Sequence, residues 1–276
     1  SSTLHGALFC VNMMMSPVPL ACVTLFSFVF YVHYQHVSAR LENNFLRYDD
    51  HLNFVEKGVD KWLYRNGNKS IARTLIEDVW TPVPDNCILK VWEPISSTLK
   101  LLTALMFQNT RAAHLYSSIT FHALASCAVL ISVLKVISYS TVKNLSLQNV
   151  AIVWATLAVF NISPNRVEVF AWASGIGYSH ALFFLSVSLF SYLKWKESKS
   201  GKWHFMFAMF YVFAVLSKSV AVPFIVLPTL LDIALGEKIP SMANSVWRFL
   251  AAFCGIYTTF WANRQEQYGG HRPSNG

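Results

Sequence analysis

The sequence predicts an all-α membrane protein, a polytopic helical bundle of about seven transmembrane helices with one long polar loop. Composition is the first observation behind that prediction. The 276 residues are 54% hydrophobic and 13% charged, with mean hydropathy +0.39, whereas a soluble domain carries about 25% charged residues. The second observation is the gathering of apolar residues into runs that approach the roughly 20 residues of helix needed to cross about 30 Å of hydrocarbon. The third is an aromatic content of 15%, including 9 Trp and 21 Phe, residues that face lipid and anchor at its interfaces.

The first span runs from about Pro17 to His36, through Leu20-Ala21-Cys22-Val23-Thr24-Leu25-Phe26. The apolar stretch before it, Leu4 to Met15, lacks the basic start of a signal peptide, and Pro17 and Pro19 break any single helix joining the two. Residues 1–37 therefore form an N-terminal segment with the first helix. From Ser38 to Ser97 the composition turns polar, with acids and bases throughout. This reads as a water-facing loop with short amphipathic helices, Leu52, Val55, Val59 and Leu63 falling at helical spacing. Loops of this length usually serve a function. Further spans fall at about 113–136, 147–162, 173–193, 203–217, 219–235 and 247–263, within a helical core 98–264. Pro223 and Pro228 are expected to kink or interrupt the sixth. Residues 265–276 form a polar tail, and a chain that begins at Ser1 without Met reads as part of a longer protein.

The 22 Lys and Arg against 14 Asp and Glu give a net charge of +8. A nucleic-acid binder clusters such charge on a soluble face; here it lies in short stretches between apolar runs, so topology explains it. Lys135 and Lys143, then Lys194, Lys196, Lys199 and Lys202, then Lys238 and Arg248 fall on one side, which the positive-inside rule makes cytosolic. The 38–97 loop, the Asn161–Ala171 turn and the Ser217–Ser219 turn then face the lumen, and the sequon Asn68-Lys69-Ser70 agrees. The five cysteines (Cys10, Cys22, Cys87, Cys127, Cys254) have no metal-ligand spacing and read as small buried hydrophobes.

Two lumenal features could carry chemistry. Asp49-Asp50-His51 offers adjacent carboxylates that can divide the work, one accepting a proton while the other orients the donor or holds a metal; the plainer reading is a solvated acidic loop. The second feature is a set of ionisable residues at predicted helix ends, namely Arg166, Glu168, Lys218 and Arg264. Charges in or near spans are costly and line cavities or substrate paths, although interfacial anchoring explains them too. Lys218 is the most informative, because it stands between two apolar runs with almost no loop. Three cations on one face suit a phosphate. His114 and His122, about two turns apart on one helix, read as buried, hydrogen-bonded histidines and not as metal ligands. No Gly-rich phosphate loop, zinc site or Ser/His/Asp triad is present in the sequence.

Several segments resemble the membrane domain of the transmembrane and tetratricopeptide-repeat (TMTC) proteins and their bacterial relatives, within the GT-C class of polyprenyl-phosphate-sugar glycosyltransferases. Tyr48-Asp49-Asp50 resembles the acidic motif of the first lumenal loop, and Trp92-Glu93-Pro94-Ile95 the motif that closes it. His114-Leu115 with Phe121-His122-Ala123 is similar to the family's second helix. Ser163-Pro164-Asn165-Arg166-Val167-Glu168 through Trp172-Ala173-Ser174-Gly175 is similar to H-P-x-R-V-E-x-V-A-W-x-S-G/E. Leu216-Ser217-Lys218-Ser219 with Leu230-Leu231-Asp232 is similar to L-S-K-P and its trailing L-L-D. Order and approximate spacing are kept over about 45–260. The chain departs from the pattern at Ser163 (a family His), at Glu93 (a family His or Arg) and at Tyr178 (often Asp), and no tetratricopeptide repeat is present before Gly276.

The resemblance implies a GT-C-like membrane glycosyltransferase of the endoplasmic reticulum, multi-pass. It would transfer mannose from dolichyl-phosphate mannose to protein Ser or Thr hydroxyls. Asp49 or Asp50 would be the base, with Glu168 in the same catalytic set, and Arg166, Lys218 and Arg264 would hold the donor phosphate. No metal is expected at the site and no cofactor beyond the lipid-linked donor, which is a substrate. Membrane lipids, the donor, a protein acceptor and a larger membrane assembly are the expected partners, and nucleic acid is not. The alternative is a catalytically inactive GT-C-like structural subunit, favoured by Glu93, Ser163 and the short chain; a transporter or channel is disfavoured because no internal repeat is visible.

Overall fold

The computed structural model describes residues 17–38, 54, 58–65, 70–81, 92–140, 146–163 and 173–236, together with Phe253 and Tyr257. The described residues are mostly helical, and none of them is in a strand. Three helices are long and apolar enough to cross a membrane: α1 (Pro17–Ser38), α4 (Arg111–Ser140) and α6 (Ile176–Ser198). Two more, α5 (Leu147–Ile162) and α7 (Gly201–Ser217), are apolar but shorter, at 16 and 17 residues. The predicted span 247–263 lies outside the described residues apart from Phe253 and Tyr257.

Local chemistry sets the ends. Pro17 and Pro19 occupy the first turn of α1, where a missing N–H costs nothing. The Thr110 hydroxyl accepts from Ala113 N (3.2 Å) to cap α4, and the Ser146 hydroxyl accepts from Asn149 N (3.2 Å) to cap α5. Lys199 closes α6 in a left-handed conformation (φ 53°), its N–H reaching the Trp195 carbonyl at 2.7 Å. Beyond α7 the chain is not one helix. Ser219–Val226 is 3₁₀-helical with Pro223 inside it, and an α-helix, α8 (Leu227–Ala234), begins only at the turn holding Pro228. The interruption expected from the two prolines is therefore present.

Cross-helix contacts give the direction of each helix. His122 bonds Asn161, and Phe28 meets Trp154, so α5 runs antiparallel to α4 and parallel to α1. Ser118 meets Ser179 near the start of α4 and α6 while Lys135 meets Glu197 near their far ends, so these two are parallel. Phe184 against Phe213 and Trp195 against His204 make α7 antiparallel to α6. The chain thus alternates, and two ends result. One gathers the C-termini of α1, α5 and α7 with the N-termini of α4 and α6, and is called the loop end. The other holds Lys135, Lys194, Lys196, Lys199 and Lys202, and is called the lysine end. The described helix ends that flank the loops predicted to share a side lie at one end.

The packing suits a lipid solvent. Leu20, Val23, Ile152, Val159 and Phe205 are exposed, whereas Ser118, Ser126, Ser132, Ser179, Ser186, Ser188 and Ser191 are buried between helices. Small residues let backbones approach where no hydrophobic force drives helices together. Their hydroxyls are satisfied either by the carbonyl one turn back, as Ser126, Ser132, Ser186 and Ser191 are, or across the interface, as Ser188 is on the Phe207 carbonyl at 2.9 Å.

Two elements depart from the sequence reading. The polar stretch up to Ser97 ends earlier than predicted, in α3 (Pro94–Phe107), which Pro94 starts at the first position. The described part of the loop, which includes the short helix α2 (Ile71–Thr74), also carries core. Phe54, Val59, Trp62 and Val79 are buried with Leu101 and Leu115, and Leu63 packs on them; Leu52 and Val55 lie outside the described residues.

At the lysine end a buried ion pair fastens α8 to α6. Lys196 Nζ lies 2.7 Å from Asp232 Oδ1, both side chains are almost fully buried, and the Tyr192 hydroxyl donates to the same carboxylate oxygen. Removing one partner of such a pair leaves a buried charge, at a cost of about 3–5 kcal/mol. Asp232→Ala should therefore lower the melting temperature sharply in detergent, and Lys196→Met/Asp232→Leu should recover most of the loss, because no charge then remains to be buried.

Candidate functional site

Three segments far apart in the chain meet at the loop end. The first is Glu93 with Ser96, at the start of α3. The second is Gly177, Tyr178 and His180, in the first turn and a half of α6. The third is Ser217-Lys218, where α7 ends. The meeting follows from helix direction: α7 arrives at this end, α6 departs from it, and α3 starts there.

Lys218 is the centre of the cluster. Its backbone is extended (φ −160°), and its N–H still reaches the Ala214 carbonyl at 3.0 Å, so it stops α7 while remaining tied to it. The ammonium lies 2.5 Å from Glu93 Oε1, with side chains 23% and 12% exposed respectively. It also sits 5.0 Å from the centroid of the Tyr178 ring, a cation–π distance. Gly177 makes this approach fit. A Cβ there would stand 3.2 Å from Glu93 Oε2, 3.3 Å from the Ser217 carbonyl oxygen and 3.3 Å from Ser96 Oγ. Ser96 Oγ is 3.2 Å from His180 Nδ1, and both residues are buried. The other nitrogen of His180 has no hydrogen-bond partner among the described residues, and its ring stands edge-on to Phe121 at 4.5 Å.

A second polar group lies beside it. Asn109 Nδ2 donates to Asp60 Oδ1 (2.7 Å) and to the Phe54 carbonyl (3.1 Å), while Asn109 Oδ1 accepts from His114 Nε2 at 2.8 Å. These bonds tie the first loop to the start of α4 and fix the His114 tautomer with its proton on Nε2. Lys100, buried on α3, stands over the Phe54 ring at 5.5 Å and acts electrostatically on both His114 and His180. Deeper in the bundle, His122 Nε2 donates to Asn161 Oδ1 (2.6 Å), with Ser126 on the same oxygen (3.3 Å). His114 and His122 are therefore buried and hydrogen-bonded. Between α3 and α4 lies a cavity of about 510 Å³ lined by Thr103, Phe107, Tyr116, Ser117, Thr120 and Phe121, among others.

Of the six residues given catalytic or phosphate-binding roles from the sequence, Lys218 is the one the structure describes. Asp49, Asp50, Arg166, Glu168 and Arg264 lie outside the described residues. Their flanks are informative: Ser38 and Phe54 bracket the acid pair, Ser163 and Ala173 bracket Arg166 and Glu168, and the bundle elements that hold them end at the loop end. Glu93 was noted in the sequence only as a departure from a motif, and its role as the partner of Lys218 had no local signal, since 125 residues separate the two. Ser96, Lys100 and His180 carried no signal either. Among the described residues no group of three or more His, Cys, Asp or Glu is placed to hold a metal ion. Compared with known proteins, the chain matches no family model, no curated protein and no solved structure.

The crowding at Gly177 gives a graded expectation. Gly177→Ala gains up to about 1 kcal/mol of helix propensity against contacts only slightly too close, and should shift stability by no more than about 1 kcal/mol. Gly177→Val gains less and overpacks more, so a loss of about 1–3 kcal/mol is expected in thermal unfolding.

Proposed function

We propose that this chain is the membrane core of a glycosyltransferase of the GT-C type, a bundle of about seven membrane helices that moves mannose from dolichyl-phosphate mannose to Ser or Thr hydroxyls of proteins at the lumenal face of the endoplasmic reticulum. The observation that carries this reading is the convergence of Glu93, Gly177, Tyr178 and Lys218 at the end of the bundle where α1, which precedes Asp49-Asp50 in the chain, and α5, which precedes Arg166 and Glu168, both finish. These are the stretches in which the sequence resembles the TMTC proteins. Two of the departures from that resemblance, Glu93 and Tyr178, are the two neighbours of Lys218.

In the proposed reaction the acceptor hydroxyl oxygen attacks the anomeric carbon of the mannosyl group. The bond from that carbon to the phosphate oxygen breaks, and dolichyl phosphate leaves with the electron pair. The hydroxyl proton passes to Asp49 or Asp50. Glu168 belongs to the same acidic set, and Lys218, Arg166 and Arg264 neutralise the leaving phosphate. An oxocarbenium-like transition state needs a base on one face and an anion stabiliser on the other. Glu93 shapes this last role, because a phosphate reaching the Lys218 ammonium must share it with the carboxylate or displace it.

That same ion pair favours a second reading. A lysine already neutralised within the chain suits a GT-C-like subunit that has lost catalysis and supports a larger membrane assembly. Purified full-length protein, given radiolabelled dolichyl-phosphate mannose and acceptor peptides, distinguishes the two. The enzyme reading expects transfer that Asp49→Asn/Asp50→Asn abolishes and that Lys218→Met lowers by about 10²-fold or more in kcat. Absence of transfer from folded protein across several lipid-linked donors would leave the structural reading.

A further inference from the structure

The ammonium of Lys218 is only partly occupied. An ammonium carries three N–H donors. One of them meets Glu93 Oε1 at 2.5 Å, and a second side faces the Tyr178 ring, 5.0 Å from its centroid. Among the described residues this ammonium makes no further hydrogen bond. The Lys218 side chain is 23% exposed and Tyr178 beside it is 45% exposed, so the site is open to a ligand on the side of the tyrosine.

Glu93, by contrast, is wedged. Its side chain is 12% exposed. Its Oε2 lies against the first turn of α6, where a Cβ on Gly177 would stand 3.2 Å from that oxygen and 3.3 Å from both Ser96 Oγ and the Ser217 carbonyl oxygen. Ser96 is held in turn by His180 at 3.2 Å. Pro94 follows Glu93 directly at the start of α3 and confines its backbone. Three elements, α3, α6 and the end of α7, thus keep the carboxylate beside the ammonium.

An open ammonium with a fixed carboxylate is sensitive to the charge of what it binds. Lys218 alone would hold a dianion more tightly than a monoanion. With Glu93 in place the pair carries no net charge, so a second negative charge on the ligand gains little from it and keeps its dehydration cost. Two acceptors on one tetrahedral ammonium stand about 4 Å apart, and at that distance the carboxylate repels each added unit of ligand charge. A phosphodiester carries one negative charge, whereas a phosphate monoester carries about −1.5 to −2 near neutral pH. The two classes share the same tetrahedral oxygens and differ in the quantity that Glu93 opposes.

We propose that Glu93 is the specificity-determining residue of a lipid-phosphate site at Lys218, admitting a phosphodiester monoanion and turning away a phosphate monoester dianion. The incoming phosphate takes the open side of the ammonium next to Tyr178, and Glu93 stays where it is. In transfer from a lipid-linked sugar the donor is the diester and the departing lipid phosphate is the monoester. The carboxylate that tolerates the donor therefore loosens the product. The identity of the anion rests on the transferase reading, while the discrimination by charge rests on the ion pair itself. Glu93 is also a position where the chain departs from the TMTC pattern, so this discrimination is expected of this chain and not of the proteins it resembles.

The test measures binding of three prenyl probes to the full chain in detergent, by titration and by the shift in thermal unfolding that a ligand of the folded state produces. The probes are a prenyl phosphate, its methyl phosphodiester and the prenyl sulfate, which has the shape of the first and the charge of the second. The unsubstituted chain should bind the diester and the sulfate at least as tightly as the phosphate monoester, a comparison that needs no variant. Glu93→Gln should shift the monoester-to-diester affinity ratio by about tenfold toward the monoester, with the sulfate following the diester. Tighter binding of the phosphate monoester to the unsubstituted chain, or a ratio that Glu93→Gln leaves unchanged, would overturn the proposal and make the ion pair purely structural. Sugar transfer with an unchanged ratio would do so while keeping the transferase reading. Charge discrimination in a chain that transfers no sugar would keep the proposal and remove that reading. Binding of none of the probes would remove both.

Discussion

An ammonium at the join of two apolar segments has little chain with which to reach water, and it must meet its counter-charge inside the fold. Lys218 meets it in Glu93, 125 residues away in sequence, and that pairing fixes much else. Glu93 must lie at the start of α3, so α3 must begin against α6. Residue 177 must then be small enough to let the carboxylate and the end of α7 approach together, and it is glycine. The pair is partly exposed, so its contribution to stability is modest. Its importance is positional, because it brings three otherwise unrelated helix ends to one point.

The bundle that supports this point is built for lipid as solvent. Ser, Asn and His side chains find partners in its interior, and aliphatic ones both fill that interior and cover the outer surface. The parallel pair α4 and α6 is separated in sequence by α5 and a turn, and it brings Ser118 to Ser179 at one end and Lys135 to Glu197 at the other. At the lysine end, the carboxylate of Asp232 gathers Lys196 and Tyr192 and holds the interrupted segment after α7 to the bundle. The prolines that break that segment remove backbone hydrogen bonds, and the Tyr211 hydroxyl donates to the Val222 carbonyl at 2.7 Å to recover one acceptor.

The loop end and the proposed chemistry belong together. A lipid-linked sugar presents its phosphate at the membrane surface, and a transferase acting on it needs acids and cations gathered at that depth. The helix alternation gathers Lys218, Glu93, His180 and Lys100 there, at the end where α1 and α5 also finish.

The sequence by itself determined helical class and the alternation of the apolar helices, because hydrocarbon permits few arrangements of unsatisfied backbone; of its about seven expected spans, three described helices are long and apolar enough to cross a membrane. It also singled out Lys218, since a lone charge between apolar runs is conspicuous in one dimension, and it marked the Pro223–Pro228 break and the hydrogen-bonded histidines. The tertiary structure alone decided the partner of Lys218, the use of Gly177 as a close-approach point and the start of α3 against α6. Short polar-apolar mixtures such as Pro94–Phe107 read equally well as loop edge or helix, and only the depth of their neighbours separates the two. Ion pairing and close approach are distances in space between residues scores of positions apart, and no local pattern records them.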